Sequence, residues 1–164
     1  ATPGLRLSLG VSTFVPKAHT PFQGEGVRPE ADKRLKLLAK RLKPKGIDLR
    51  PESYGWSVIQ ALLSRSDRRL APVIAAVRGS QESLGGWKQA YRSVMHGEVD
   101  AAAPGAGPAL PPPPPWAEVV HDTWDSTRPL PWDHLEGPLP RATLERHRAE
   151  ALVEQEDGPH PDPG

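Results

Sequence analysis

Residues 101–115 are Ala, Gly and Pro apart from Leu110, and they end in five consecutive prolines. Proline lacks the N–H that helices and sheets need, and a run of it adopts an extended, polyproline-like backbone. No regular element can cross such a stretch, so the chain is expected to divide there. With the patterns on either side, the expected organisation is a β/α segment at 1–52, helices at 53–100, the linker at 101–115, a helical segment at 116–155 and a disordered tail at 156–164.

Upstream of the linker the periodicity changes twice. Leu5, Leu7, Leu9 and Val11 alternate with Arg6, Ser8, Gly10 and Ser12, a period-two strand signal that Phe14 and Val15 prolong until Pro16. A Pro- and Gly-containing loop follows, and Pro29 is expected to open a helix. In it Leu35, Leu38, Ala39 and Leu42 share one face, and Pro44 and Gly46 end it. Ile47 to Arg50 reads as a second strand. Strand, helix, strand is the unit of a parallel sheet, and a single unit cannot close a barrel. Ser57 with Gln60 is read as a capping box opening a helix that Pro72 kinks or restarts and Gly79 ends. Further helices are expected over Trp87–Met95, Trp116–Trp124 and Arg141–Gln155.

Composition sets the limits on function. Of 164 residues 37% are apolar, while 21 are Pro and 15 Gly, so part of the chain is not expected to pack. A net charge of +1 excludes the chain as a whole from electrostatic nucleic-acid binding. The charge is uneven: residues 28–50 carry nine Lys/Arg against three Asp/Glu, and residues 116–164 carry four against eleven. There is no cysteine, which excludes disulfides and thiolate metal sites within this chain and agrees with a reducing, cytoplasmic setting. No apolar run approaches the roughly 20 residues of a membrane span, so no membrane partner is expected. A chain opening on Ala1 rather than Met is expected to continue upstream.

Lys17, His19, Thr20 and Gln23 are polar residues clustered just past a strand end. They suit hydrogen bonding to a ligand, and His19, with a pKa near neutrality, is the candidate catalytic acid or base. The plain alternative is a polar loop stiffened by Pro16 and Pro21. Arg65, Asp67 and Arg68 are read as structural ion pairs. Trp116, Trp124 and Trp132 are read as anchors for irregular segments rather than stacking platforms. The spacing of His121, Asp122, Asp125, Asp133 and His134 matches no metal motif, so no metal site is assigned.

Ser12 to Gln23, STFVPKAHTPFQ, resembles a strand-to-loop segment late in the barrel of an uncharacterised radical SAM family whose members often carry a cobalamin-binding-like domain upstream. The family pattern there is similar to FVPK-x-HTPFQW, with Gly24 standing where it has Trp. Ser57-x-x-Gln60 and Ser64 to Arg69 resemble its S-x-x-E and S-R-G-D-R-R segments, with Gln60 and Ser66 as departures. Gly86-Trp87, Leu130 to His134 and Leu144-Glu145 follow in the family's order.

The resemblance implies the C-terminal fragment of a radical SAM (β/α) barrel, one βαβ unit, followed by a mainly helical extension with proline-rich linkers. The complete enzyme would cleave S-adenosylmethionine at a [4Fe–4S] cluster for radical chemistry on an unknown substrate, with cobalamin as a further cofactor. The cluster's cysteines would lie in the upstream part of the same polypeptide, roughly two hundred residues before His19. Lys17, His19, Thr20 and Gln23 would then bind substrate or S-adenosylmethionine. This chain alone would be inactive. The alternative reading is a non-catalytic interaction module, or an RNA-binding one acting through the basic helix.

Overall fold

The computed structural model describes residues 6–78, 82–98 and 110–156. Leu5, Gly79, the whole Ala/Gly part of the linker at 101–109 and the tail beyond Glu156 lie outside the described residues. The fold is α/β and mostly helical, with a two-stranded parallel sheet that does not close and six α-helices among the described residues.

Strands β1 (Leu7–Val11) and β2 (Ile47–Pro51) pair in parallel, Leu7 opposite Ile47 and Val11 opposite Pro51, with helix α1 (Ala31–Leu42) between them in sequence. The strand signal at Leu5–Val15 therefore overshoots. The ladder ends where β2 reaches Pro51, which has no N–H to give, and the Glu52 N–H closes on the Val11 carbonyl at 2.9 Å. Pro29 and Glu30 form a turn before α1 instead of its first residues. Gly46 follows in the left-handed region, φ 71°, and turns the chain into β2.

One side of this unit is bare. Leu7 and Leu9 are 51% and 44% exposed, and no residue of α1 is buried. The other edge of β1 has no partner strand among the described residues. Long, apolar, unpaired edges are normally covered in stable proteins.

The principal core lies in the helices. Helix α2 (Tyr54–Arg65) buries Val58, Ile59 and Leu62, each contributing about 1.5–3 kcal/mol of apolar burial. It starts three residues before the expected Ser57, with Ser53 at the N-cap, so Ser57 is buried and donates to the Ser53 carbonyl at 3.3 Å. Gln60 is exposed, and no capping box forms. Of the kink or restart expected at Pro72 the structure shows a restart, with the break beginning a few residues earlier. Ser66 turns extended, and Asp67 accepts from the Arg69 N–H to cap a short 3₁₀ turn at Arg68–Leu70. Helix α3 (Ala71–Val77) then starts with Pro72 near its N-terminus. Helix α4 (Leu84–Met95) is capped by Ser83, whose hydroxyl accepts from the Gly86 N–H at 3.1 Å.

The proline run does not separate two cores. Pro113 is buried, and the Tyr91 hydroxyl of α4 donates to the Pro114 carbonyl. Burial pushes that phenol up to about 12, so it stays a donor at neutral pH. Helix α5 (Trp116–Val120) follows and puts Val119 and Val120 into the same core as Val58 and Leu62. Helix α6 (Arg141–Glu156) packs through Leu144.

The ion pairing differs from the expected set. Asp67 pairs with Arg69 at 2.8 Å, Arg68 is exposed without an ion pair among the described residues, and Arg65 forms no ion pair among them, bonding to carbonyls instead. The hydrogen bond from Arg69 holds the Asp67 carboxyl below its ordinary range, against the opposing effect of burial. A carboxylate depressed on folding stabilises the protein above its unfolded pKa of about 3.9 and loses that contribution as pH falls through the lower folded value. Thermal midpoints followed from neutral to strongly acid pH are expected to show an acid slope that Asp67→Asn reduces; an unchanged slope would remove the pair from the acid response.

Candidate functional site

The loop leaving β1 is shaped by its own polar groups. The Thr20 hydroxyl donates to the Lys17 carbonyl at 2.7 Å, and the Gln23 N–H donates to the Thr20 carbonyl at 3.1 Å. The Ser64 hydroxyl of α2 lies 3.2 Å from the Pro16 carbonyl and 2.7 Å from the Gln60 carbonyl of its own helix, which sets the loop against the helical core. His19 is held at φ 56°, a region where a residue with a Cβ is strained by about 1–2 kcal/mol. What holds it is Gln23, whose Oε1 accepts from the His19 N–H at 2.9 Å. The same oxygen accepts from the buried Trp132 indole at 2.8 Å. Gln23 is thus engaged in fixing two segments more than a hundred residues apart.

A seam then joins residues 24–27 to residues 120–124. The Val27 N–H donates to the Val120 carbonyl at 2.8 Å, and the Trp124 N–H donates to the Gly24 carbonyl at 2.7 Å. The His121 ring Nδ1 lies 2.8 Å from the Val27 carbonyl. Arg65 spans the seam from below. It is 1% exposed, donates from Nη2 to the carbonyls of Asp122 at 2.8 Å and Gly24 at 3.3 Å, and lies 3.9 Å over the Trp124 ring. Its Nε and Nη1 have no partner among the described residues. Burial, reinforced by the nearby Arg128 charge, lowers its pKa to about 10, which leaves it charged at neutral pH. Gly24 fits this arrangement, because a Cβ there would come to 3.1 Å from the Trp124 carbonyl.

Two cavities flank the loop. One, of about 570 Å³, is lined by His19, Gln23, Trp132, Asp133, Gly137 and Arg141, among others. The His19 ring sits against the backbone of Gly137, where a Cβ would fall 2.4 Å from Nδ1. The other, of about 640 Å³, lies between the start of the loop and α6, with Thr13, Phe14, Phe22, Arg28, Arg34 and Arg148 on its walls. Of the four residues expected to bind a ligand, the structure brings His19 and Gln23 to one cavity. Lys17 and Thr20 line neither, Lys17 being exposed and Thr20 closing its turn. Trp124 and Trp132 are buried, in the anchoring role read from the sequence, with ring centroids 6.2 Å apart. Sequence reasoning did not single out Phe14, Arg34 or Gly137 for a site. Gly137 beside the Leu130–His134 segment carries no local signal, since what it accommodates is a side chain 118 positions away.

With no cysteine, this chain has no thiolate for an iron–sulfur cluster. Among the described residues no three His, Asp or Glu side chains come together as a metal site. His121 is engaged with Val27, and Asp133 accepts from the Leu130 N–H and Arg141. No helix among the described residues is long and apolar enough to cross a membrane.

No protein-family model matches the chain, and no solved structure matches it. A stretch of 66 residues is 30% identical to the uncharacterized protein MJ0966 of Methanocaldococcus jannaschii. The stretch covers 40% of this chain and 15% of that protein, so the chain matches a small part of its relative's length and takes no family from it.

Proposed function

We propose that this chain is the C-terminal part of a radical SAM enzyme, in which β1, α1 and β2 end a (β/α) barrel and the helices from α2 onward form an extension. One observation carries the reading. The loop with the family-like residues Phe14 to Gln23 is braced at the carboxyl end of a parallel strand whose outer edge is free among the described residues and whose Leu7 and Leu9 are half exposed. Carboxyl ends of parallel strands are where barrel active sites sit, and a free edge with bare leucines suits further strands. The partner supplying them is the upstream part of the same polypeptide, which would also hold the [4Fe–4S] cluster and any cobalamin. This chain contributes a wall of the substrate and S-adenosylmethionine pocket, with His19 as its candidate proton-transfer residue. Gln23 holds His19 in place, and Lys17 and Thr20 shape the turn beneath it.

The test starts with the reading frame upstream of Ala1. It should contain a C-x-x-x-C-x-x-C run roughly two hundred residues before His19. The whole protein, prepared without oxygen, should bind iron and consume S-adenosylmethionine reductively. His19→Ala is expected to slow that consumption by about tenfold or more with iron content unchanged. A complete gene beginning near Ala1, or a whole protein that binds no iron, would sink the reading.

A further inference from the structure

The cavity between the β1–α1 loop and α6 is lined by residues of this chain, and its chemistry is specific. Phe14 is 55% exposed there and meets Phe22 edge to face, centroids 6.1 Å apart at 81°, so ring surface is left open on the cavity wall. Glu25, the acid on the wall, is already engaged. Its Oε1 accepts from Arg148 Nε at 3.0 Å and also from Nη2, and its Oε2 accepts from the Thr123 hydroxyl at 3.1 Å. Arg28 and Arg34 are exposed and have no acidic partner among the described residues. Thr13 lines the same cavity, and its buried hydroxyl has no partner among the described residues.

An aromatic face beside two uncompensated guanidiniums defines a ligand class. Flat unsaturated rings stack on phenylalanine, and guanidinium forks match phosphoryl oxygens in charge and geometry. A surplus of positive charge is a poor match for S-adenosylmethionine, which is itself a cation overall. The volume, about 640 Å³, suits a ligand of mononucleotide size.

We propose that this cavity binds a nucleoside phosphate, its base against Phe14 and its phosphoryl group held by Arg28 and Arg34. In the enzyme proposed above this ligand is the substrate or a part of it. That role rests on the enzyme reading; the binding itself does not, because this chain provides the cavity.

Calorimetric titration of the 164-residue chain separates the terms. AMP should bind saturably, and adenosine and inorganic phosphate should each bind about tenfold more weakly or worse. Arg34→Glu and Arg28→Glu should each weaken AMP by about tenfold or more, and Phe14→Leu by about fivefold. Lys40→Glu makes the same charge change near the far end of α1, away from the cavity, and should leave AMP binding as it was. Unchanged thermal midpoints confirm that the exposed variants fold. A 5′-phosphorylated RNA trinucleotide distinguishes sources: tighter binding than AMP assigns the site to an RNA end, weaker binding to a free nucleotide. Equal affinity for adenosine and AMP, wild-type affinity in both arginine variants, or no saturable binding at millimolar AMP would each overturn the proposal. A whole protein that binds no iron would remove the enzyme reading and leave this titration unaffected.

Discussion

Gly26→Ala is expected to destabilise the fold by about 3 kcal/mol or more, at the upper end of what overpacking costs, because nothing near the new methyl can rotate away. A Cβ at position 26 falls 1.9 Å from the His121 carbonyl oxygen, 2.3 Å from its carbon and 2.9 Å from its Cα. All three atoms are backbone. The glycine is needed for space and not for conformation, since it is not among the residues with positive φ. Relieving the clash means parting residues 24–27 from 120–124. That opens the Val27–Val120 and Trp124–Gly24 hydrogen bonds together and pulls both carbonyls off Arg65. Urea denaturation should show the midpoint falling sharply. Gly10→Ala is the control: a Cβ there meets nothing within 4 Å, and the change should be neutral or slightly stabilising. A Gly26→Ala midpoint equal to wild type would mean that the seam is not closed in solution.

The seam also marks where the sequence stops being legible. Elements made by local periodicity are readable: the alternation at Leu7–Val11, the leucine face of α1 and the short strand at Ile47 are all found close to their expected places. Ends are less readable because competing side-chain bonds decide them. Asp67 captures the Arg69 N–H and stops a helix that the apolar pattern alone would carry on. The Ala/Gly/Pro run forms no helix or strand in its described part, as composition dictates, yet composition says nothing of Tyr91 reaching Pro114. The site is legible in the same uneven way. His19 and Gln23 stand out as polar residues past a strand end, but the tasks of Gln23 and Arg65 depend on partners 109 and 57 positions distant. No periodicity encodes a carbonyl that far away. In the Ser64–Arg69 run, three arginines look equivalent until the end of α2 directs Arg65 inward, leaves Arg68 exposed and gives Asp67 to Arg69.

Arg65 should respond to substitution in an order that simple conservation of charge gets backwards. Arg65→Met keeps an unbranched side chain of similar bulk and removes the charge. It removes the Arg65 donor from the part-buried Asp122 carbonyl and from the Gly24 carbonyl, which keeps the Trp124 N–H, at about 1.5–3 kcal/mol for a hydrogen bond from a charged group, and forfeits the stacking on Trp124, worth up to about 2 kcal/mol. Part of that loss is offset, because the wild-type guanidinium is buried with no carboxylate bonded to it and with Nε and Nη1 unpartnered among the described residues. A net loss of about 2 kcal/mol is expected. Arg65→Lys keeps the buried charge as a more strongly hydrated ammonium, without the planar face or the fork that spans the seam. It therefore retains the desolvation cost and loses most of what offset it, for a net loss of about 3 kcal/mol or more at neutral pH. The pH response identifies the cause. A buried lysine has a folded pKa below its unfolded value of about 10.4, so the unfolded chain holds more protons between the two, and stability rises with pH through that window. The wild type should be flat there until pH nears the Arg65 value of about 10, and the methionine variant has no charge at this position to titrate. Urea midpoints measured from neutral to mildly alkaline pH should converge for the lysine and methionine variants as pH rises. A lysine variant as stable as wild type at neutral pH would show that charge alone ties the seam and that the guanidinium fork does not.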